Sequence, residues 1–393
     1  MPHKALNRQK LVIKFMFLFS YMAAAAWLSY FYVYLKEVPQ LSIFEIGVIA
    51  GFQQFNNIFV VPAWGLLADK FGRKRMLLLS MGITTLLIPG FLLWDGFLGL
   101  TLFMIAVTLF YNPMVSLFDT VALDYEEQSK GKTSYGEIRL WASIGWGSSS
   151  LLTGLFINTT HLHYIFPIAS LFFLLVWLLL FFLYKPLTTK THLVSLKPKV
   201  IRDLLKSEKK LLYFFFLVFA YSLFAAPIFL IINVYYHELG APNSIIGLAF
   251  AVQAISEIPF FFFGKKLVTR FGAKKVFLFT MFATAIRMFL YGINYKPEVA
   301  VAIGVIHGIS IGLFFVSMVA FVHNIVPNQM RSVGQSLIYS FYAGGVAFGN
   351  LLIGVLDDLI SIKTTMLLNA GSVMLLIGLV LIIGPRIKFH ATN

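Results

Sequence analysis

The chain has no cysteine, little charge and few acidic residues. Among 393 residues, only 12% are charged, and 16 Asp and Glu stand against 31 Lys and Arg. The absence of cysteine excludes disulfides, thiolate metal sites and thiol nucleophiles. The shortage of charge excludes a water-soluble domain, which carries about 25% charged residues. Nucleotide-binding and metalloprotease signatures are missing too: no P-loop and no HExxH stand in the sequence. ATP therefore does not drive this protein directly, no cofactor is expected, and the chain does not read as an enzyme. His161 and His163, close together near a loop, are too few for a metal site.

What fills the space is apolar. Hydrophobic residues make up 59% of the chain and aromatics 17%, with 42 Phe. Apolar runs fall at 11–35, 43–67, 76–94, 98–123, 138–157, 163–184, 211–235, 244–264, 275–293, 299–321, 332–355 and 365–384. Each is near the ~20 residues that span a bilayer core. The expected fold is an all-α membrane protein of twelve transmembrane helices in two six-helix bundles. The first run follows Lys4, Arg8, Lys10 and Lys14 and lacks a small-residue cleavage pattern, so it reads as a retained span, not a signal peptide.

The formal net charge of +15 invites a nucleic-acid partner, but its distribution argues otherwise. With a cytoplasmic N-terminus, only Lys36, Lys296 and Lys363 fall in the outer loops, and Arg139 and Arg287 lie inside spans. All other Lys and Arg fall in cytoplasmic segments. This is positive-inside asymmetry, and anionic lipid headgroups account for the basic excess. The expected setting is the plasma membrane, multi-pass, with both termini cytoplasmic and no nucleic-acid partner.

The longest polar stretch, 185–210, divides the chain into 1–184 and 211–393. It reads as a cytoplasmic linker with a short surface helix near 200–205. The two parts resemble each other at an offset near 200. Phe71-Gly72 precedes Arg73, Lys74 and Arg75; Phe271-Gly272 precedes Ala273, Lys274 and Lys275. Gln53 and Pro62 correspond to Gln253 and Pro259. Internal repeats of this kind are frequent in secondary transporters, whose substrate site lies near the midplane between the repeats.

The stretch Gly65-Leu-Leu-Ala-Asp69-Lys-Phe-Gly72-Arg73-Lys-Arg75 resembles the signature between spans two and three of the major facilitator superfamily. Gly65 and Gly72 permit close approach and a tight turn, and Asp69 can cap or pair across the loop. The resemblance implies a cytoplasmic gating latch; the structural alternative is simple capping. The second copy has Val268 near the acidic position, which implies a one-sided latch. Arg139-Leu-Trp-Ala-Ser-Ile-Gly145-Trp146 is similar to the fifth span of the lactose-permease-like proton symporters, which carry sugars, nucleosides and aromatic acids. His307-Gly-Ile-Ser-Ile-Gly312 and Arg331-Ser-Val-Gly334-Gln335 look like the wider branch of that group. The resemblance implies that Arg139 and Trp146 contact substrate, with Asp119 as the accompanying carboxylate in preference to Asp124. It also implies that Glu257, Arg287 and His307 form the proton-coupling set. Two departures stand out: Phe260 replaces an asparagine and Ser310 replaces a second carboxylate of that pattern. Galactoside recognition is not expected, and coupling falls on Glu257 or Asp119.

Physical chemistry supports the same residues. An ionisable group inside a span costs roughly 2.5–3.5 kcal/mol on insertion scales and usually marks a transport pathway. Arg287 lies about 12 residues, or roughly 18 Å, from the cytoplasmic end of its span, and His307 about 14 residues, so the two share a depth near the midplane. Glu257 lies close enough for the long Arg287 side chain to reach. The alternative is a fixed structural ion pair. Gln53, Asn56 and Asn57 fall at i, i+3 and i+4 on span two, and Gln335, Tyr339 and Tyr342 at i, i+4 and i+7 on span eleven. Unsatisfied amides cannot face lipid, so these stripes either line a pathway or tie helices together. Tyr30 and Tyr34 are weaker candidates. Glu126, Glu127 and Glu137 read as solvated charges at the cytoplasmic mouth.

The expected function is secondary active transport, as proton-coupled symport of a small organic solute (a sugar, nucleoside or aromatic acid). A proton-linked exporter of amphiphiles is the alternative, and a non-transporting receptor is less favoured because it has no use for charges inside the membrane. A monomer is expected, since one chain holds both parts of the pathway.

Overall fold

The computed structural model describes residues 3–130, 133–157, 159–186, 209–225, 227–326, 331–357 and 359–383. The linker expected at 185–210 and its surface helix lie almost wholly outside the described residues. Within them the chain is helical, in twelve successive rods. These are α1 (His3–Glu37), α2 (Ile43–Phe71), α3 (Arg73–Leu87, continued by Ile88–Leu93), α4 (Phe97–Tyr111 and Pro113–Gln128), α5 (Tyr135–Phe156) and α6 (Ile165–Leu178, ending in Leu179–Leu183). Then come α7 (Lys209–Ala225, Pro227–Leu230 and Ile232–Glu238), α8 (Asn243–Phe271), α9 (Ala273–Ile293), α10 (Pro297–Ile303 through Leu313–Ile325), α11 (Arg331–Asp357) and α12 (Ile362–Ile383).

Ten rods are long and apolar enough to cross a membrane. The two exceptions are α5 and the broken α7. The reason for α5 is its polar content, Glu137, Arg139 and a run of serines. It is packed against α1 and α8, so those groups meet protein instead of lipid, as a bilayer requires.

Local chemistry sets the boundaries. The Ser42 hydroxyl accepts from the Glu45 N–H while the Glu45 carboxylate accepts from the Ser42 N–H, closing the start of α2. The Ser134 hydroxyl does the same for the Glu137 N–H at the start of α5. Both α2 and α8 end at a glycine with positive φ, 92° at Gly72 and 84° at Gly272, a conformation that glycine enters without steric cost. The two helices are both 29 residues long and begin at Ile43 and Asn243. The 200-residue offset read in the sequence is therefore kept in three dimensions.

The first six rods meet the last six mainly where α5 packs on α8 and α2 on α11. The close approaches lie at the end away from the basic loops. A Cβ on Gly154 would strike the Asn243 carbonyl, and one on Gly247 the Ser150 carbonyl. A Cβ on Gly47 would strike the Asn350 carbonyl, and one on Gly354 would crowd Phe44. The Tyr30 hydroxyl donates to Ser150 O, and the Asn233 amide to Ser29 O at 3.4 Å. At the end of α1, Lys36 pairs with Glu238 at 2.7 Å and Glu37 with His237 at 2.8 Å. These contacts are reciprocal: the first residue of each dipeptide meets the second of the other, as a two-fold relation demands. At the basic end, Gly65, Gly72 and Gly272 have open space where a side chain would stand. Among the described residues, these close approaches between the two sets of six rods lie at the end away from the basic loops.

The Lys36–Glu238 contact is directly testable because the chain brings no cysteine of its own. Lys36→Cys combined with Glu238→Cys is expected to cross-link with a short bis-maleimide in membranes, and the cross-linked protein is expected to lose transport. Reaction of each thiol without cross-linking counts against this closure.

Candidate functional site

The deepest charges sit on α8, α9 and α10. Arg287 is fully buried, His307 nearly so, and Glu257 half-buried, its side chain 19% exposed. The α10 backbone explains how His307 is aimed. It tightens to a 3₁₀ turn at Gly304–Ile306 and widens to a π turn at Gly308–Gly312, with His307 at the junction. Such irregularities recur at functional sites. Gly308 lets α10 press on α8: a Cβ there would overlap the Ser256 carbonyl, while the Gly308 N–H donates to the Ser256 hydroxyl at 2.9 Å.

The connectivity differs from the direct Glu257–Arg287 pair expected from the sequence. His307 stands between them. Arg287 Nη1 lies 2.8 Å from His307 Nδ1, and His307 Nε2 lies 2.9 Å from Glu257 Oε1. Arginine has only donors, so Nδ1 accepts, and Nε2 carries the proton and donates to the carboxylate. His307 is therefore the neutral Nε2–H tautomer in this arrangement. Arg287 is steadied further by Gln253 Oε1 at 3.0 Å, and it donates to Ser310 Oγ at 3.4 Å. Ser310, which replaces a carboxylate of the resembled pattern, thus supplies a neutral acceptor. Phe260 packs beside Gly308 and Gly312, next to the relay.

The first six rods bring a second group to the same cleft. Asp119 on α4 accepts from the Tyr135 hydroxyl at 3.0 Å, not from Arg139. Arg139 lies over the Tyr21 ring, 4.5 Å from its centroid, and makes no hydrogen bond among the described residues. Its charge acts on Asp119 and, across the interface, on Glu257. Trp146 is half-buried two turns further along α5. Tyr339 on α11 is 44% exposed yet within the field of Asp119 and Arg139, which places it at this cleft. Arg139 thus lies within electrostatic range of Asp119, of Tyr339 and, across the interface, of Glu257.

The amide stripes have a different employment. Gln53 accepts from the Tyr32 hydroxyl at 3.2 Å, and Asn112 donates to its carbonyl. Asn56 donates to Thr108 Oγ1 at 2.8 Å. Gln335 donates to Val319 O at 3.0 Å. These side chains tie α2 to α1 and α4, and α11 to α10. In the gating motif, Arg73 pairs with Asp124, while Asp69 is half-buried and finds no partner among the described residues. Asp124, the less favoured carboxylate in the sequence, is thus the partner of the loop arginine. Glu137 is not simply solvated: it pairs with Lys14 at 2.8 Å and Lys10 at 2.9 Å. These hydrogen bonds, Lys14 first, hold its carboxyl below the usual range.

Tyr135, Tyr21 and Gln253 were not singled out as site residues by the sequence. Gln253 carried a signal, because it precedes Glu257 by four positions on one helix face. The tyrosines carried none, since aromatics are everywhere in this chain.

An all-helical membrane fold with an internal repeat, charges buried at the midplane and a cleft between two sets of helices defines a secondary transporter. The sequence profile of the MFS_1 like family matches residues 10–368, and the chain belongs to that family of the major facilitator superfamily. It is 26% identical over 378 residues to the transporter YwbF of Bacillus subtilis (strain 168), covering 94% of this chain and 92% of that one. It is 28% identical over 344 residues to a maltose permease of Geobacillus stearothermophilus, covering 86% and 84%. The crystal structure of the nucleoside transporter NupG superimposes with a TM-score of 0.83 at 17% identity, covering 97% of this chain and all of that one; this likeness shows the fold. The protein is a multi-pass membrane transporter and not an enzyme.

Close packing of α10 on α8 sets up the relay, so Gly308→Ala is expected to lower thermal stability by about 1–3 kcal/mol. Gly378→Ala, where nothing lies within 4 Å of the added Cβ, is expected to leave it unchanged. Thermal unfolding of the purified variants in detergent checks both.

Proposed function

We propose that this chain is a proton-coupled symporter of a small organic solute, working by alternating access, with Glu257 as the proton carrier. The observation that carries the reading is the neutral His307 held between Arg287 and Glu257. Burial disfavours the charged carboxylate, while nearby cations favour it. Here Glu257 receives one charge-assisted hydrogen bond from His307, and the Arg139 charge acts on it from the opposite side. Relative movement of the halves 1–184 and 211–393, joined by the linker 185–210, separates Arg139 from Glu257. The carboxylate then binds a proton more readily, and return of the cation releases it.

Substrate binding belongs to the same cleft. Arg139 presents a planar fork whose donors are not spent on protein partners, suited to hydroxyls or a carboxylate. Trp146 offers a flat face for a ring, and Asp119 offers an acceptor. Tyr339 closes the cleft from α11. The similar protein from Geobacillus stearothermophilus is named for maltose, a sugar, and a sugar, nucleoside or aromatic acid is the proposed class. Gly65, Asp69, Gly72 and Arg73 form the inner latch. Asp69, without a partner among the described residues, suits a released latch. The protein acts in the plasma membrane as a monomer with both termini cytoplasmic.

Proteoliposomes test the reading. A proton gradient is expected to drive accumulation of one of these solute classes in the wild type. Glu257→Gln is expected to abolish accumulation while preserving solute exchange, because only the proton step is removed. Accumulation undiminished in Glu257→Gln removes the assigned carrier. Drug resistance on overexpression, with no proton movement for any of these solutes, turns the reading to export.

A further inference from the structure

Behind the relay, away from Glu257, lies a second polar cluster that shares Arg287 with it and whose other members the transport reading does not use. It comprises Tyr236 on α7, Gln253 on α8, and Arg287 and Tyr291 on α9. All four are buried, the most exposed being Gln253 at 4%. Among the described residues, Gln253 Nε2 and Arg287 Nε have no hydrogen-bond partner, and the Tyr236 and Tyr291 hydroxyls have none beyond each other. The groups are neighbours. Arg287 Nη2 holds Gln253 Oε1, and the guanidinium lies 5.4 Å from the centre of the Tyr291 ring. The Tyr236 and Tyr291 side chains meet through their hydroxyls. Gly304 borders the cluster, and a Cβ there would still stand 3.5 Å from Gln253 Cγ and 3.7 Å from Tyr291 Oη.

The four atoms lean toward donation. Arg287 Nε and Gln253 Nε2 only donate, and the two phenols can donate as well as accept. Arg287 also has an unusual charge environment. Its hydrogen-bond partners are the His307 ring nitrogen, the Gln253 carbonyl and the Ser310 hydroxyl, all neutral. No carboxylate lies within ion-pair distance of it among the described residues; Glu257 is one imidazole away. A buried cation without a directly paired anion is costly, and a buried unmet donor adds to that cost. One acceptor bearing negative charge answers both.

We propose that Tyr236, Gln253, Arg287 and Tyr291 form a binding site for a small monovalent anion, chloride in chemical class. The anion accepts from Arg287 Nε, Gln253 Nε2 and the two phenol hydroxyls. It supplies Arg287 with a counter-charge that persists when Glu257 is protonated.

Thermal unfolding of the purified full-length protein in sodium chloride, sodium bromide and sodium gluconate, at equal ionic strength, tests the site. Chloride and bromide are expected to raise the unfolding temperature saturably, and gluconate is not. Combining Tyr236→Phe with Tyr291→Phe removes two donors and is expected to weaken the halide response about tenfold or more. Equal unfolding temperatures in the three salts overturn the proposal and leave the donors to internal water. A halide response unchanged in the double variant also overturns it. If the double variant does not fold, anomalous scattering from bromide-soaked crystals of the wild type decides: a peak within hydrogen-bond reach of Arg287 Nε supports the site, and its absence there refutes it. Neither measurement depends on the transport reaction being proton-coupled.

Discussion

A guanidinium at the centre of a bilayer has to be answered by protein, because no water or lipid headgroup reaches it. Arg287 imposes that condition on everything around it. It recruits a histidine in one tautomer, a glutamine four residues before the acidic group, and a serine where a second carboxylate was not retained. Helix α10 departs from regular geometry to bring His307 into line, and Gly308 allows the approach. The carboxylate that results is neither freely solvated nor directly paired. It is bound through a neutral imidazole, an arrangement that a single arriving proton changes.

The outer closure belongs to the same logic. Small residues at Gly47, Gly154, Gly247 and Gly354 bring backbones together on one side, and two crossed charge contacts seal its edge. At the basic end, the motif loop keeps Arg73 on Asp124 while Asp69 has no partner among the described residues. A two-fold repeat makes this economical, since one kind of contact, used twice, closes one end. The asymmetry lies in the basic loops, where the second copy has Val268 near the position of the acid and Thr269 opposite Asp69.

The fold was legible in the sequence because bilayer spans leave long apolar runs, and basic loops report their own side. The offset of 200 was legible because Phe-Gly and the basic cluster recur together. Glu257, Arg287 and His307 were legible as charges in apolar surroundings. Their order was not: helical spacing places residues by depth but does not say that the histidine stands between the others. Tyr135 was hidden for a similar reason. Its role depends on where α4 and α5 converge, sixteen residues apart in sequence. The amides of Gln53, Asn56 and Gln335 show the reverse case. A polar stripe has the same appearance whether it faces a cleft or a neighbouring helix, and here each makes a bond between helices.

The protonation of Glu257 is the centre of the account, and infrared difference spectroscopy reads it directly. Acidifying the reconstituted protein is expected to produce a protonated-carboxyl stretch that vanishes when Glu257 is replaced by glutamine. A carboxyl band that is the same with and without Glu257 would contradict the account.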